Sequence, residues 1–199
     1  MKVDIEDVLF WMDAIRNSKD RYRTLESFWK GQIWSKIWLI DQLKHHVESR
    51  PNRIVIHGGW NGVLSSLLFN SDIEIEKIIS VDIDPQCKPI ALTVNKNQEM
   101  QGRFDAVTED MCRHQYHANI VINTSCEHLT DQQLHIWYNK IPKNTTVVIQ
   151  SNNYFELEEH VNCVKSAKEL AKKVKLSSYF QSELNLPKYT RYMVIGKKE

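Results

Sequence analysis

The chain has 199 residues, 42% hydrophobic and 26% charged, which suits one globular domain with enough length for a proper core. Lys and Arg number 26 against 25 Asp and Glu, so a formal net charge of +1 excludes the strongly basic total of many nucleic-acid-binding domains. No apolar run reaches the length of about 18 residues that marks a membrane span.

Residues 4 to 16 place Ile5, Val8, Leu9, Met12 and Ile15 on one helical stripe. Acids interrupt this apolar pattern and no cleavage site follows, so no secretory leader is expected. The chain is then cytoplasmic, and Cys87, Cys112, Cys126 and Cys163 are reduced thiols. A polar stretch over 17–23 precedes a longer helix from Glu26 to Ser49, with Trp29, Ile33, Ile37, Ile40 and Val47 at helical spacing; Pro51 stops it. Residues 1–50 thus form a helical extension to a core spanning 51–199.

Alternation of strand and helix follows. Strands are expected over 53–57, 77–82, 103–107, 119–123 and 145–150, and helices over 61–70, 86–99, 130–140 and 156–172. Thr130 and Gln133 have capping-box spacing. The strands are near-continuous apolar runs, as when helices cover both faces of a parallel sheet. In the tail, Val174, Leu176, Ser178 and Phe180 alternate with polar residues, as do Tyr189, Arg191, Met193 and Ile195. Joined by a loop containing Pro187, these two segments read as an antiparallel pair closing the sheet edge. The fold class is α/β: one doubly wound, mostly parallel domain over 1–199 with an antiparallel C-terminal hairpin.

RIVIHGGWNGVLSSLLFN, Arg53 to Asn70, reads as strand, glycine turn and helix. Gly58, Gly59 and Gly62 lack a Cβ and let a ligand approach the backbone. Asp82 ends the strand IISVD 20 residues beyond Gly62, where a carboxylate can accept hydrogen bonds from a ribose diol. Asp82 could instead cap a helix, but Asp84, before Pro85, is better placed for that. These elements predict a nucleoside cofactor across the carboxyl edge of the sheet. A nicotinamide dinucleotide needs a pyrophosphate cradle, usually GxGxxG, whereas HGGWNG sets Trp60 there. That favours a cofactor without phosphates and leaves a nicotinamide-dependent oxidoreductase as the alternative.

On these residues and the five strand–helix units, the chain resembles the class I S-adenosylmethionine-dependent methyltransferases over Glu26 to Lys197. The resemblance implies a seven-stranded sheet whose last strand is antiparallel, with S-adenosyl-L-methionine as cofactor. Gly58 and Gly62 match the outer glycines of the family's GxGxG turn; Trp60 replaces the middle one, with Gly59 beside it. The acid common two residues before the first glycine is Ile56 here. A Trp does not take positive φ cheaply, so the turn's path is expected to depart from the family's. By the resemblance the turn holds the methionine moiety, Asp82 the ribose, and Asp110 with Met111 the adenine, with Glu109 as competitor to Asp110. Asn123 and Thr124, ending strand four, reach the cofactor's amino end or the acceptor, and Lys36 or Gln32 its carboxylate.

Glu127 and His128 follow strand four, and either can take the acceptor's proton, although transfer from a sulfonium often needs mainly alignment. Cys126 raises covalent pyrimidine methylation, but Ser125 stands where those enzymes have Pro, and a semi-buried thiol is the simpler reading. Cys112, His114, His117, Cys126 and His128 match no zinc spacing, so no metal is expected. Asn152, Asn153 and Tyr154 leave strand five at the same edge, able to bond or stack on a planar acceptor. Most of Trp29, Trp34 and Trp38 should pack in the core. The expected activity is methyl transfer. Near-zero net charge and no appended recognition domain favour a small-molecule acceptor, with nucleic acid or protein open if a partner subunit supplies the surface. A non-catalytic adenosylmethionine-binding regulatory module is the remaining class.

Overall fold

Asp4 caps α1 (Ile5–Asn17), accepting from the amide of Glu6, in a computed structural model that describes residues 2–47, 51–113 and 117–199. The apolar stripe of α1 does not enter the core as a unit: Ile5, Leu9 and Met12 are exposed, whereas Asp7 and Ala14 are buried. Asp7 decides this orientation. Its carboxylate accepts from Asn70 Nδ2 at 2.6 Å and Asn97 Nδ2 at 3.0 Å, which offsets its burial and rotates the polar face inward. Trp11 Nε1 adds a 3.0 Å bond to Ser66 Oγ.

The long helix expected from Glu26 begins only at Lys30, and a short helix that the pattern did not predict precedes it, mostly within the expected polar stretch. Asp20 caps α2 (Arg21–Glu26), Ser27 closes it by bonding back to the Thr24 carbonyl, and α3 (Lys30–Leu43) starts afresh. The expected end at Ser49 lies outside the described residues. Only Leu39, Ile40 and Leu43 of α3 reach the core fully, and Trp38 packs partly against it. Trp29 and Trp34 are 70% and 49% exposed, which corrects the expectation that most of these indoles are core. Lys30 Nζ lies 4.3 Å from the Trp34 ring centroid, a contact that an exposed indole can make at the surface.

The alternating segment forms β1 (Asn52–His57), α4 (Val63–Phe69), β2 (Ile75–Asp82), α5 (Cys87–Val94), α6 (Lys96–Met100), β3 (Phe104–Thr108), β4 (Ile120–Asn123), α7 (Asp131–Lys140), β5 (Thr146–Asn152), α8 (Ala167–Lys172), β6 (Leu176–Asn185) and β7 (Thr190–Lys198). They build one seven-stranded sheet in the order β3-β2-β1-β4-β5-β7-β6. Strands β1 to β5 are parallel; β7 runs antiparallel between β5 and β6. The hairpin closes the sheet edge as its alternation implied. A register shift between Ser177 and Phe180, with Ser178 at φ 45°, bends β6.

Two helices differ from expectation. The segment 86–99 breaks at Asn95, whose Nδ2 donates to the carbonyls of Gly62 at 3.0 Å and Ala91 at 2.9 Å. The segment 156–172 is helical only as α8, because its first part is pinned elsewhere. Asn162 gives its amide to the Glu127 carbonyl and its Nδ2 to Asp131, while its own carbonyl accepts from Ser151 Oγ. The Thr130–Gln133 capping box forms as its spacing implied.

Alternation along the strands sorts the two core faces. Ile54 and Ile56 meet Leu39, Leu43, Leu64 and Leu68 on one side; Val55 meets Leu134, Trp137 and Leu170 on the other. No described helix is long and apolar enough to cross a membrane.

Candidate functional site

The strand order reverses between β1 and β4, so their carboxyl ends and the end of β2 flank a switch point where open α/β sheets bind ligands. The turn leaving β1 has left-handed backbone at Gly58 (φ 62°), Trp60 (φ 48°) and Gly62 (φ 72°). These are the alternate positions of GxGxG, and Trp60 takes positive φ in spite of its Cβ. The indole-bearing residue adopts the conformation a glycine would, at a cost of about 1–2 kcal/mol.

Hydrogen bonds hold that conformation. The Trp60 amide donates to Asp82 Oδ2 at 2.8 Å, the Gly59 amide to the Val81 carbonyl at 3.1 Å, and the Gly62 amide to the Gly59 carbonyl at 3.0 Å. A Cβ on Gly59 would lie 1.9 Å from Ser80 Oγ, so here glycine serves close approach to β2 rather than positive φ. Asp82 Oδ1 accepts from the Asp84 amide at 3.0 Å. Each Asp82 oxygen therefore takes one backbone N–H and, among the described residues, has a lone pair left over. Asp84 takes the capping-type bond from the Gln86 amide, and that bond, with Arg23 at 2.6 Å, holds its carboxyl below the usual range.

Met111 lies against the turn beside Gly58, and Asn123 Nδ2 donates to its sulfur at 3.4 Å. Asn123 Oδ1 accepts from the Ser125 amide, which sets Ser125 Oγ where a Gly58 Cβ would be. Asp110, partly exposed, ties its own loop through the Cys112 amide at 2.8 Å. The structure thus brings Gly58, Gly59, Trp60, Gly62 and Asp82 together, with Met111 and Asn123 adjoining them. His57, ending β1, is fixed from the opposite layer: its Nδ1 accepts the Trp137 indole N–H at 3.1 Å.

A second polar group occupies the ends of β4, β5 and β7. Arg191, on β7, donates through Nε to Gln150 Oε1 at 3.1 Å, through Nη1 to Glu127 Oε1 at 3.3 Å, and through Nη2 to the Thr124 carbonyl. Asn152 Nδ2 donates to the same Glu127 oxygen at 2.8 Å. Nothing in the sequence pattern singled out Arg191 as a partner of Glu127, because their pairing needs β7 inserted next to β5. Lys36 Nζ, on α3, donates to Gln32 Oε1 at 2.9 Å. Desolvation, aided by the Arg191 charge, lowers the pKa of the Lys36 ammonium to about 7, and the residue as a whole is half-buried.

Glu127 and His128 sit in the 3-10 turn Cys126–His128; Glu127 is buried and His128 exposed. The Cys126 thiol is buried and donates to the Asn123 carbonyl, and burial pushes its pKa well up, so it is a poor nucleophile. Of the residues weighed for a metal, His114 lies outside the described residues, and Cys112 Sγ turns to the Gln133 carbonyl. Asn153 Oδ1 accepts from the Thr190 amide and Tyr154 stacks on Tyr189 at 5.6 Å, so both organise the loop after β5. His117, also weighed for a metal, lies away from the others, in an open cleft at the opposite, amino-terminal edge that it lines with Arg53, Glu76 and Asn119.

No protein-family model and no curated protein matches the chain. Solved structures do. The fold is similar to that of the magnesium protoporphyrin IX methyltransferase ChlM from Synechocystis PCC 6803 with bound SAH, at 11% identity and TM-score 0.66 over 98% of this chain and 95% of that one. It is similar to the S-adenosylmethionine-dependent methyltransferase SibL in its apo form, at 12% identity and TM-score 0.68, covering 89% of this chain and 58% of that chain. It is also similar to the N-methyltransferase NodS from Bradyrhizobium japonicum WM9, at 8% identity and TM-score 0.58 over 80% of this chain and 96% of that one. Likeness at such identity is likeness of fold, and it matches the strand order and hairpin described above. The chain has the class I S-adenosylmethionine-dependent methyltransferase fold.

Proposed function

We propose that this chain binds S-adenosylmethionine at the carboxyl edge of β1 and β2 and transfers its methyl group to an acceptor, a small molecule being favoured. One observation carries the reading: the turn keeps left-handed backbone at residues 58, 60 and 62 and is tied through the Trp60 amide to Asp82. A turn without side-chain bulk at its ends, joined to a carboxylate with free lone pairs, suits an uncharged ribose and a methionine chain lying side by side. No phosphate cradle is needed.

Bound there, the cofactor supplies an electrophilic methyl group. Gly58, Gly59, Trp60 and Gly62 present backbone to the methionine moiety, Asp82 accepts from the ribose hydroxyls, and Asp110 with Met111 borders the adenine. Asn123 stands at the amino end. Lys36, with a lowered pKa, gains its charge back when a carboxylate neutralises its surroundings, which suits the cofactor's carboxylate or an acidic acceptor. An acceptor held beside that methyl group would have the corner formed by Glu127 and His128 within reach to take its proton.

Calorimetry with S-adenosylmethionine and S-adenosylhomocysteine tests the first half of this reading. One-to-one binding is expected; no saturable binding of either ligand would remove it. Incubation with isotopically methyl-labelled cofactor and pooled small-molecule extracts then tests transfer by the label retained on an acceptor.

A further inference from the structure

Three side chains outside the glycine turn converge without any sequence spacing to announce them. Glu127 and His128 come from the 3-10 turn after β4, and His160 comes from the loop after β5, 32 positions beyond His128. One donor atom from each lies within 4.8 Å of the other two. The imidazoles meet edge to face, with centroids 4.8 Å apart.

The hydrogen bonds around them prepare ligand atoms. His128 Nδ1 is 3.1 Å from the Glu159 carbonyl oxygen, and His160 Nδ1 is 3.1 Å from the Tyr154 carbonyl oxygen. A carbonyl only accepts, so Nδ1 of each ring carries a proton, and the neutral tautomer with that proton has its lone pair on Nε2. Glu127 is 3% exposed, and its Oε1 takes Asn152 and Arg191. Its Oε2 is buried with no hydrogen-bond partner among the described residues, a costly state unless a ligand occupies it.

We propose that Glu127, His128 and His160 form a site for one divalent metal ion. Two imidazoles and a carboxylate suit Mn²⁺, Fe²⁺, Co²⁺ or Zn²⁺ rather than Mg²⁺ or Ca²⁺, which prefer all-oxygen ligands. Three protein ligands leave positions open for water or for an oxygen of a bound molecule. Arg191 faces the site and shares the Glu127 carboxylate through Oε1, so it orients the ligand and tempers affinity. Cation binding stands apart from the methyl-transfer reading. The role of the open positions rests on that reading: a coordinated acceptor hydroxyl would lose its proton more easily, replacing His128 as a direct base.

The test titrates the untagged, metal-stripped full chain with Co²⁺, followed by calorimetry and by visible ligand-field absorption. One ion per chain is expected, with affinity falling at least about tenfold in His128→Ala and in His160→Ala. Both imidazoles reach the surface, so circular dichroism and thermal midpoint should stay unchanged in these variants. Cys112→Ser should leave binding intact. The proposal is overturned by absence of saturable binding up to millimolar Co²⁺, by binding that survives both histidine substitutions, or by binding lost in Cys112→Ser. Adenosylmethionine affinity measured on the same metal-free samples reports separately on the methyl-transfer reading.

Discussion

The backbone amide of Trp60 donates to Asp82 Oδ2 at 2.8 Å, so the loop after the first strand and the tip of the second are one unit. That bond helps a bulky residue keep φ 48°, and it turns Oδ2 toward the glycine turn while Oδ1 accepts from the Asp84 amide.

Asp82→Ala should weaken adenosylmethionine binding by at least about tenfold, since bonds to a charged group contribute roughly 1.5–3 kcal/mol. Asp82→Asn keeps an acceptor for the Trp60 amide and isolates the charge; an intermediate loss is expected. Titration calorimetry on both reads the outcome, and unchanged affinity in Asp82→Ala removes the ribose role.

Two glycines separate backbone strain from packing. Gly62 and Gly102 have φ 72° and 71°, but a Cβ on Gly62 meets Asn95 Nδ2 at 2.7 Å and Ala91 Cβ at 3.0 Å, while Gly102 faces open space. Gly102→Ala should cost about 1 kcal/mol and Gly62→Ala about 2–4 kcal/mol. Urea unfolding measures both; equal costs would show that the Asn95 side chain yields freely.

Lys36 makes stability depend on pH. Its ammonium is lowered from 10.5 to about 7 in the fold. Between these values the unfolded chain holds the extra proton, so stability rises with pH across that window, by at most about 1.4 kcal/mol per pH unit. Lys36→Met abolishes this slope. Denaturation at pH 6.5, about 8 and about 9.5 should show the variant's advantage shrinking as pH rises; parallel curves would contradict the desolvated ammonium.

Removing one partner of the buried Glu127–Arg191 pair should be costly. Glu127→Ala strands a guanidinium that also serves Gln150 and the Thr124 carbonyl, an effect of about 3–5 kcal/mol. Adding Arg191→Met should restore part of the loss. A double-mutant cycle with no coupling would mean that the pair contributes only through its separate contacts.

Asp7 tests how the first helix is attached. Asp7→Ala leaves the amides of Asn70 and Asn97 short of an acceptor and should cost about 1–3 kcal/mol, whereas Leu9→Ala, on the exposed stripe, should stay within about 0.5 kcal/mol. Thermal unfolding of the two variants distinguishes a polar anchor from an apolar one.

The parallel strands, the closing hairpin, the glycine turn and the partnership of Asp82 with that turn were legible in the chain itself. Apolar runs, alternation and glycine spacing are local patterns that strands and turns obey residue by residue. The Thr130–Gln133 cap was legible for the same reason. Burial of Asp7 with Asn70 and Asn97, and the break at Asn95, whose side-chain amide reaches the Gly62 carbonyl, were decided by partners far along the chain. So was the corner where Arg191, Glu127, His128 and His160 meet, since it exists only once β7 lies beside β5 and the loop after β5 folds back. Local periodicity records which face a residue prefers; a buried charge settles where distant donors satisfy it, and only the assembled fold supplies those donors.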